Sequence, residues 1–225
     1  MRPRRGTPAS QYSGDWSQTY VYFGNLLVDE VQYESGRFVG LCLSPQHDRE
    51  LVQDLYEPLP IPDSCIAKVQ AQDVLEHLEP ARLPAVFDEV FRVLRPGGVF
   101  RVSVPDYRSP VQRARSVFDE NGEVLADLML GGHVSYDSTS GTRRVTFDTG
   151  GDAHIWFPTY ESLMGIAMSS RLQECADVVA YQYFRSSDEF VCLDIPDPEM
   201  PVLRAPPLDE RAGGRPVSIV IDFIK

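Results

Sequence analysis

The stretch that most constrains the fold runs over residues 69–106 and reads VQAQDVLEHLEPARLPAVFDEVFRVLRPGGVFRVSVPD. An apolar run over residues 67–71 leads into it and predicts a short buried strand. From Arg82 onward, apolar residues recur at spacings of three and four, which predicts a helix with one apolar face. These residues are Leu83, Val86, Phe87, Val90, Phe91 and Leu94.

A proline and two glycines are predicted to end this helix. Pro96 cannot continue it, and Gly97 and Gly98 accept the positive φ of a helix C-terminus. A second apolar run at residues 99–104 predicts another strand. Because a helix between two strands carries the chain back to its starting end, the two strands are expected to be parallel neighbours in one sheet.

Polar side chains follow both strands. They are Gln72, Asp73, Glu76 and His77 after the first strand, and Asp106 and Tyr107 after the second. In open sheets of this type, ligands bind beyond the carboxyl ends of the strands. We therefore expect these six residues on the rim that carries the functional site. Helix capping and structural hydrogen bonds are the alternative explanation for Asp73, Glu76 and His77.

Composition narrows the class of protein. A chain of 225 residues with 43% hydrophobic residues suits one folded domain, predicted over residues 18–225 after a flexible arm at residues 1–17. The net charge of −12 disfavours nucleic acid as a partner, and the absence of a long apolar run argues against a membrane span. The basic start, MRPRR, is not followed by an apolar segment, so we expect no secretory signal. Four widely spaced cysteines suit buried, reduced thiols in a cytoplasmic protein.

The remaining elements alternate between strand and helix and predict an α/β sandwich of three layers with a mainly parallel sheet. Strands are expected at residues 19–23, 37–43, 178–184 and 217–224, with a third short strand or turn within residues 47–55. We predict at best a short helix over residues 25–32, a helix over 110–130 broken at Asn121-Gly122, and a helix over 160–170 capped by Thr159. A long loop over residues 131–151 is expected to contain a hairpin near Ser140-Gly141, and the proline-rich stretch before the last strand reads as too irregular for a core.

The central block contains three motifs that resemble those of a known protein family. DVLEHL, followed by FRVLRPGG and FRVSVPD, resembles the class I S-adenosylmethionine-dependent methyltransferases, and most of all their short type 11 group. The preceding segment QDLYEPLPIPDSCIAKVQAQ fits the same group, so the resemblance covers about residues 53–106. It implies a Rossmann-like methyltransferase fold, S-adenosylmethionine as the cofactor and a small-molecule acceptor. Homodimer formation is left open.

The resemblance also implies which residues hold the cofactor. The turn after the first strand, which approaches the methionine part, falls on Gly24 and Asn25 with one glycine where the family usually has two or three. The acidic residue that holds the ribose falls on Cys42, a departure that predicts weaker binding. The other cofactor residues that the resemblance implies are Asp54, Leu55, Gln72, Asp73 and His77.

For the acceptor side, the resemblance points to the region of Asp106, Tyr107, His133 and His154, any of which could remove a proton during methyl transfer. Loop histidines without a special task are the alternative for His133 and His154. We expect residues 131–156 to form a lid that contributes both histidines. No His-x-x-x-His spacing is present, so no metal site is expected. The competing functions are a methyltransferase fold that has lost methyl transfer and serves as a binding or regulatory partner, and other chemistry in the same pocket.

Overall fold

An eight-stranded sheet organises the fold, which is known from a computed structural model that describes residues 6–148 and 153–225, apart from the side chain of Phe147. The strands are β1 Tyr20–Phe23, β2 Phe38–Cys42, β3 Glu50–Val52, β4 Ile66–Gln72, β5 Leu94–Pro105, β6 Ser116–Phe118, β7 Val124–Asp127, β8 Gly132–Asp137, β9 Thr142–Phe147, β10 Asp177–Phe184, β11 Phe190–Cys192 and β12 Ser218–Ile224. The α-helices are α1 Val31–Glu34, α2 Leu83–Val93, α3 Pro110–Arg113 and α4 Tyr160–Met168. Short 3-10 turns lie at Ala9–Gln11, Trp16–Gln18, Leu75–His77, Pro80–Arg82 and Arg171–Glu174.

The strand order in the sheet is β11-β10-β12-β5-β4-β1-β2-β3. Strands β1 to β5 are mutually parallel, and β12 runs antiparallel to both β5 and β10. The predicted α/β class with a mainly parallel sheet is therefore confirmed. The edge strand β11 was not predicted from the sequence.

The unit over residues 69–106 folds as predicted, with β4 and β5 as parallel neighbours joined by α2. The end of the helix differs from the prediction that Pro96, Gly97 and Gly98 terminate it. Helix α2 ends at Val93, because Leu94 already has extended backbone and pairs with Ile66. Gly97, at φ 73°, lies in a bulge of β5. Its amide donates to the carbonyl of Lys225, so the glycines hold the end of β12 and do not cap the helix.

One face of the sheet is apolar and lies against α2, α4 and the 3-10 turn at Arg171–Glu174. The helical side chains predicted to be buried are buried, and Phe87 packs edge-on against Phe100 of β5. Thr159 caps α4, also as predicted, and its hydroxyl accepts from the amide of Ser162. This face holds the main core of the protein.

The opposite face is covered by α1 and by the proline-rich segment at residues 195–217, which packs where the sequence predicted no core. Met200 and Val202 of this segment are fully buried. The segment has little regular structure, so side chains of the sheet bond its backbone: Gln70 and Arg101 donate to the carbonyls of Pro201 and Met200. The third layer of the sandwich is thus mostly irregular chain.

Residues 110–130 are not the broken helix that the sequence predicted. Only α3 is helical, and β6 and β7 then form a hairpin whose turn contains Asn121-Gly122. Glycine at φ 84° suits a turn, and a turn between two short β-rich runs favours antiparallel pairing over a helix. Strands β8 and β9 form the hairpin predicted near Ser140-Gly141.

Residues 6–17, the described part of the stretch predicted to be a loose arm, lie against β3. The amide of Val52 donates to the carbonyl of Thr7 at 2.9 Å, and Ala9 is buried. An edge strand leaves backbone groups unpaired, and this segment satisfies one of them.

Two further expectations concern cysteines and membrane spans. All four cysteines are free thiols, but only Cys42 is buried, and Cys192 is exposed, contrary to the prediction of buried thiols. The longest helix of the described residues has 11 residues, so no described helix has the length and hydrophobicity that a membrane crossing requires.

Candidate functional site

A cleft of about 600 Å³ opens at the carboxyl ends of β1 and β4. Strand β1 leads into α1, which lies on the face covered by the proline-rich segment, whereas β4 leads into α2 on the apolar face. The chain therefore leaves the two neighbouring strands in opposite directions, which is the topological switch point where α/β sheets bind ligands. The cleft lining includes the predicted residues Gly24, Asn25, Cys42, Asp54, Leu55, Asp73 and His77.

The turn after β1 contains a single glycine, and a buried carboxylate holds it in place. Gly24 has φ 95°, a conformation that favours glycine. Glu50 on β3 accepts from the amide of Leu26 at 2.7 Å and from the side-chain amide of Asn25 at 3.1 Å. A carboxylate on β3 thus stabilises the turn that follows β1. Sequence reasoning missed Glu50, because a lone acid in a short strand gives no signal of its partners.

Cys42 lies beside this carboxylate, and its Sγ is 3.5 Å from the side-chain amide of Asn25. Burial, and then the charge of Glu50, raise the pKa of the thiol to about 11. Cys42 is therefore an uncharged, apolar part of the wall at neutral pH. The exposed carboxylate on this side of the cleft belongs to Asp54, whose Oδ1 accepts from the amide of Tyr56.

Asp73 directly follows β4, has φ 52° and forms an ion pair with Arg204, with Oδ2 and Nε 3.1 Å apart. Burial raises its pKa, while the positive charge of Arg204 opposes that shift. Gln72, predicted beside it, points the other way and accepts from the amide of Leu203 at 3.0 Å. Gln72 does not line this cleft, because alternate residues of a strand face opposite sides of the sheet.

A second cavity of about 430 Å³ adjoins the cleft across Gly24 and Asp73. Gln72 lines it, together with Glu30 and Arg204. Burial, and then the carboxylates of Asp29 and Asp73, raise the pKa of Glu30 to about 7. This cavity therefore combines acidic groups with one guanidinium. Neither Glu30 nor Arg204 was singled out from the sequence.

His77 lines the cleft, and His154 lies directly behind it. The two rings meet edge to face with centroids 4.9 Å apart, and His154 is only 3% exposed. Nδ1 of His154 is 2.6 Å from the hydroxyl of Tyr107, which donates to Asp127. Burial lowers the pKa of His154 to about 3, so the ring is neutral and weakly basic at neutral pH. It does not face a ligand in the cleft, which disfavours the expected role as a base.

The other predicted catalytic residues do not line the cleft either. Asp106 is fully buried, and its carboxylate accepts from the amides of Phe184 at 2.7 Å and Arg108 at 2.9 Å, which ties the ends of β5 and β10 together. His133 is exposed on the β8–β9 hairpin, 3.2 Å from Asp148. Of the four predicted catalytic residues, Tyr107 and His154 are the pair whose side chains share a hydrogen bond.

The expected lid over residues 131–156 divides into two parts. The β8–β9 hairpin does not line the cleft, and Tyr136 on it is 68% exposed. Residues 149–152 lie outside the described residues. Ala153 and Ile155 form one wall of the cleft, and the indole of Trp156 donates to the carbonyl of Leu75. Only this last part contributes to the site.

Comparison with known proteins adds to this geometry. Residues 31–102 match a family model described as a methyltransferase domain, Methyltransf_11. The match covers about a third of the chain. The match spans β2, β3, β4 and most of β5, and it confirms the resemblance drawn from the sequence. A search of curated protein sequences finds no match.

Solved structures similar to this chain share little sequence with it. A putative S-adenosylmethionine-dependent methyltransferase from Listeria monocytogenes is 15% identical, with 94% of this chain and 92% of that chain covered and a TM-score of 0.48. A possible histamine N-methyltransferase from Thermotoga maritima is 16% identical, with coverages of 92% and 81% and a TM-score of 0.49. For 1,6-didemethyltoxoflavin-N1-methyltransferase from Burkholderia thailandensis the identity is 14%, the coverages are 92% and 70%, and the TM-score is 0.43.

Proposed function

We propose that this chain is an S-adenosylmethionine-dependent methyltransferase that acts on a small-molecule acceptor. The observation that carries the proposal is the cleft at the switch point between β1 and β4, which adjoins the segment that matches the methyltransferase family. Its volume is within the range of small-molecule and cofactor pockets. When bound, the cofactor supplies a methyl group on a positively charged sulfur.

The residues of the two adjoining cavities fit the two ends of this cofactor. Asp54 offers a carboxylate to the ribose hydroxyls, and Leu55 and Cys42 offer apolar surface to the base. At the other end, Glu30 and Asp73 suit an ammonium group and Arg204 suits a carboxylate, which together are the groups of an amino acid. The turn at Gly24 lies between the two ends and lets the backbone approach the ligand.

The protein needs to supply alignment more than covalent chemistry. Holding the acceptor nucleophile in line with the methyl group lowers the entropic part of the barrier. The acceptor side of the cleft is bounded by His77, Ala153 and Ile155, which suits a small acceptor with apolar surface. The net charge of −12 disfavours a polyanionic acceptor. A cytoplasmic location stays a prediction.

Calorimetry on the full-length protein tests the proposal, with S-adenosylmethionine and S-adenosylhomocysteine as ligands. Both should bind, and Asp54→Asn should weaken binding about tenfold or more, because a hydrogen bond to a charged acceptor contributes about 1.5–3 kcal/mol. Asp188→Asn, which changes an exposed carboxylate outside both cavities, is the matched control and should bind as the wild type does. Absence of binding to either ligand by the wild-type protein would refute the proposal.

A second candidate function rests on Cys42. The thiol of Cys42 is uncharged, and the carboxylate of Glu50 is bonded to the turn after β1. Asp54 is therefore the one exposed acid that β2, β3 and the residues directly after them contribute to the cleft. This arrangement also suits a methyltransferase fold that binds the cofactor or its product without transferring the methyl group. The two candidates separate by incubation with methyl-labelled cofactor and a panel of small nucleophiles. Binding without production of S-adenosylhomocysteine across the panel favours the second.

A further inference from the structure

Two histidines and one glutamate converge behind the wall of the cleft. Glu76 and His77 belong to the 3-10 turn after β4, and His154 comes from the segment that follows the β8–β9 hairpin. Their ligand atoms lie within 4.8 Å of one another. Oε1 of Glu76 is 3.7 Å from Nε2 of His154 and 4.0 Å from Nε2 of His77. We name these three residues the Glu-His-His cluster.

The hydrogen bonds on the far sides of the rings decide where their protons lie. Nδ1 of His77 is 2.9 Å from the carbonyl oxygen of Ala153, which can only accept, so Nδ1 carries the proton. The hydroxyl of Tyr107 donates to the carboxylate of Asp127 at 2.7 Å, so its oxygen accepts from Nδ1 of His154 at 2.6 Å. In the neutral form of each ring, Nε2 then carries no proton and faces Glu76.

Glu76 completes this unusual electrostatic arrangement. Its side chain is fully buried, and neither carboxylate oxygen has a hydrogen-bond partner among the described residues. A buried charge without a partner is strongly unfavourable. Three acceptor atoms thus face one another, and a positive charge placed between them would satisfy all three.

We propose that the Glu-His-His cluster binds a divalent transition metal ion of the zinc class. Two imidazole nitrogens and one carboxylate oxygen form a donor set that suits zinc and its neighbours, and zinc sites with three protein ligands retain an open position. Bonds of about 2.0–2.2 Å in tetrahedral geometry place ligand atoms roughly 3.4 Å apart. The separation of 3.7 Å between Glu76 and His154 is close to this value, and the separation of 4.0 Å between Glu76 and His77 shortens with a small movement of the His77 ring, which is only partly buried.

The surroundings of the cluster hold the ligands as metal ligands are usually held. Tyr107, backed by Asp127, and the carbonyl of Ala153 orient the two rings through their Nδ1 atoms. The amide of Ile155 donates to the carbonyl of Glu76 at 3.0 Å, which fixes the two ligand segments together. His77 is the one ligand that also lines the cleft, so the ion enters, and keeps its open position, on that side.

Zinc titration of full-length, chelator-treated protein tests this site, and it does not depend on the proposed methyl transfer. We expect one Zn²⁺ per chain by calorimetry, and Co²⁺ should give the visible absorption of a low-coordinate site. Glu76→Gln keeps the side-chain shape and should weaken Zn²⁺ binding at least a hundredfold. Tyr107→Phe removes the acceptor of the His154 proton and should weaken it ten- to a hundredfold.

Two variants serve as controls for adventitious binding. His133→Ala and Cys192→Ser each remove an exposed potential ligand that is not part of the cluster and should bind Zn²⁺ as the wild type does. Circular dichroism checks that each variant is folded. If Glu76→Gln does not fold, the Zn²⁺ affinity of Tyr107→Phe tests the proposal. Equal Zn²⁺ affinity of the wild type and the folded variants, or no stoichiometric binding by the wild type, would overturn the proposal and favour a proton on Glu76. Binding of S-adenosylhomocysteine is measured separately, so each proposal can fail alone.

Discussion

The two faces of the central sheet are covered in different ways. The face toward α2 and α4 is apolar, and its partner helices satisfy their own backbone hydrogen bonds. The other face presents Lys68, Gln70 and Arg101 to the irregular segment at residues 195–217. Irregular chain leaves backbone carbonyls unpaired, and burying them requires donors from elsewhere. Where the irregular segment covers the sheet, polar side chains of β4 and β5 therefore bond its backbone, although the same face also holds an apolar cluster with Tyr20, Tyr22 and Phe38.

Both faces contribute to the cleft at the switch point. The apolar side supplies His77 and Ile155, next to the turn that precedes α2. From the polar side, the irregular segment brings Arg204 against Asp73. The segment is therefore part of the candidate site as well as a cover for the sheet.

The largest effect is expected from the polar face, in the variant Arg101→Met. Arg101 is fully buried and forms two hydrogen bonds with Asp222 on β12, at 2.8 and 2.7 Å, and one with the carbonyl of Met200. Removing the guanidinium leaves a buried carboxylate alone, so the free energy of unfolding should fall by about 3–5 kcal/mol. Urea denaturation followed by tryptophan fluorescence measures the loss.

The double variant Arg101→Met/Asp222→Leu sharpens this test. Replacing both charges with apolar groups removes the uncompensated carboxylate, so most of the lost stability should return. Failure of the double variant to recover would show that the bond to Met200, and not the ion pair, holds the polar face.

A somewhat smaller loss is expected from the apolar face, in the variant Leu163→Ala. Leu163 is fully buried on the inner side of α4, and truncation leaves a cavity that costs about 2–5 kcal/mol. Met168→Ala on the exposed side of the same helix is the control and should change stability by less than about 0.5 kcal/mol. Equal effects of the two variants would contradict the assignment of the inner face.

The same contrast explains how much of the fold was predictable. Residues that recur every three or four positions, such as Phe87 and Val90, identified α2 and its buried face, because a helix that covers an apolar sheet must repeat with the helical period. The proline-rich segment has no period, and its burial depends on donors such as Arg101 that lie about a hundred residues away. Residues 110–130 have two short apolar runs whose spacing predicts a helix, and the turn at Gly122 instead makes them a hairpin.

In the candidate site, too, some features follow from local sequence and others depend on contacts between distant segments. Asp73 and His77 were placed correctly at the cleft because residues after parallel strands must meet at one rim. The contact between Glu76 and His154 joins segments almost eighty residues apart, and spacing rules for metal ligands cannot detect it. The direction of the Gln72 side chain and the support of Gly24 by Glu50 likewise depend on tertiary packing alone.

The smallest effect in this comparison is expected from Gln70→Leu, which removes one side-chain bond between the polar face and its irregular cover. Gln70 is fully buried, donates to the carbonyl of Pro201 at 2.9 Å and accepts from the side-chain amide of Gln32 at 3.0 Å. Gln32 also donates to Pro201, so the carbonyl keeps one partner and the loss of stability should be about 1–3 kcal/mol. Gln173→Leu on an exposed 3-10 turn is the control and should be nearly neutral. If leucine at position 70 instead stabilises the protein, apolar packing suffices to hold the segment, and the rule that irregular cover requires a polar sheet face fails here.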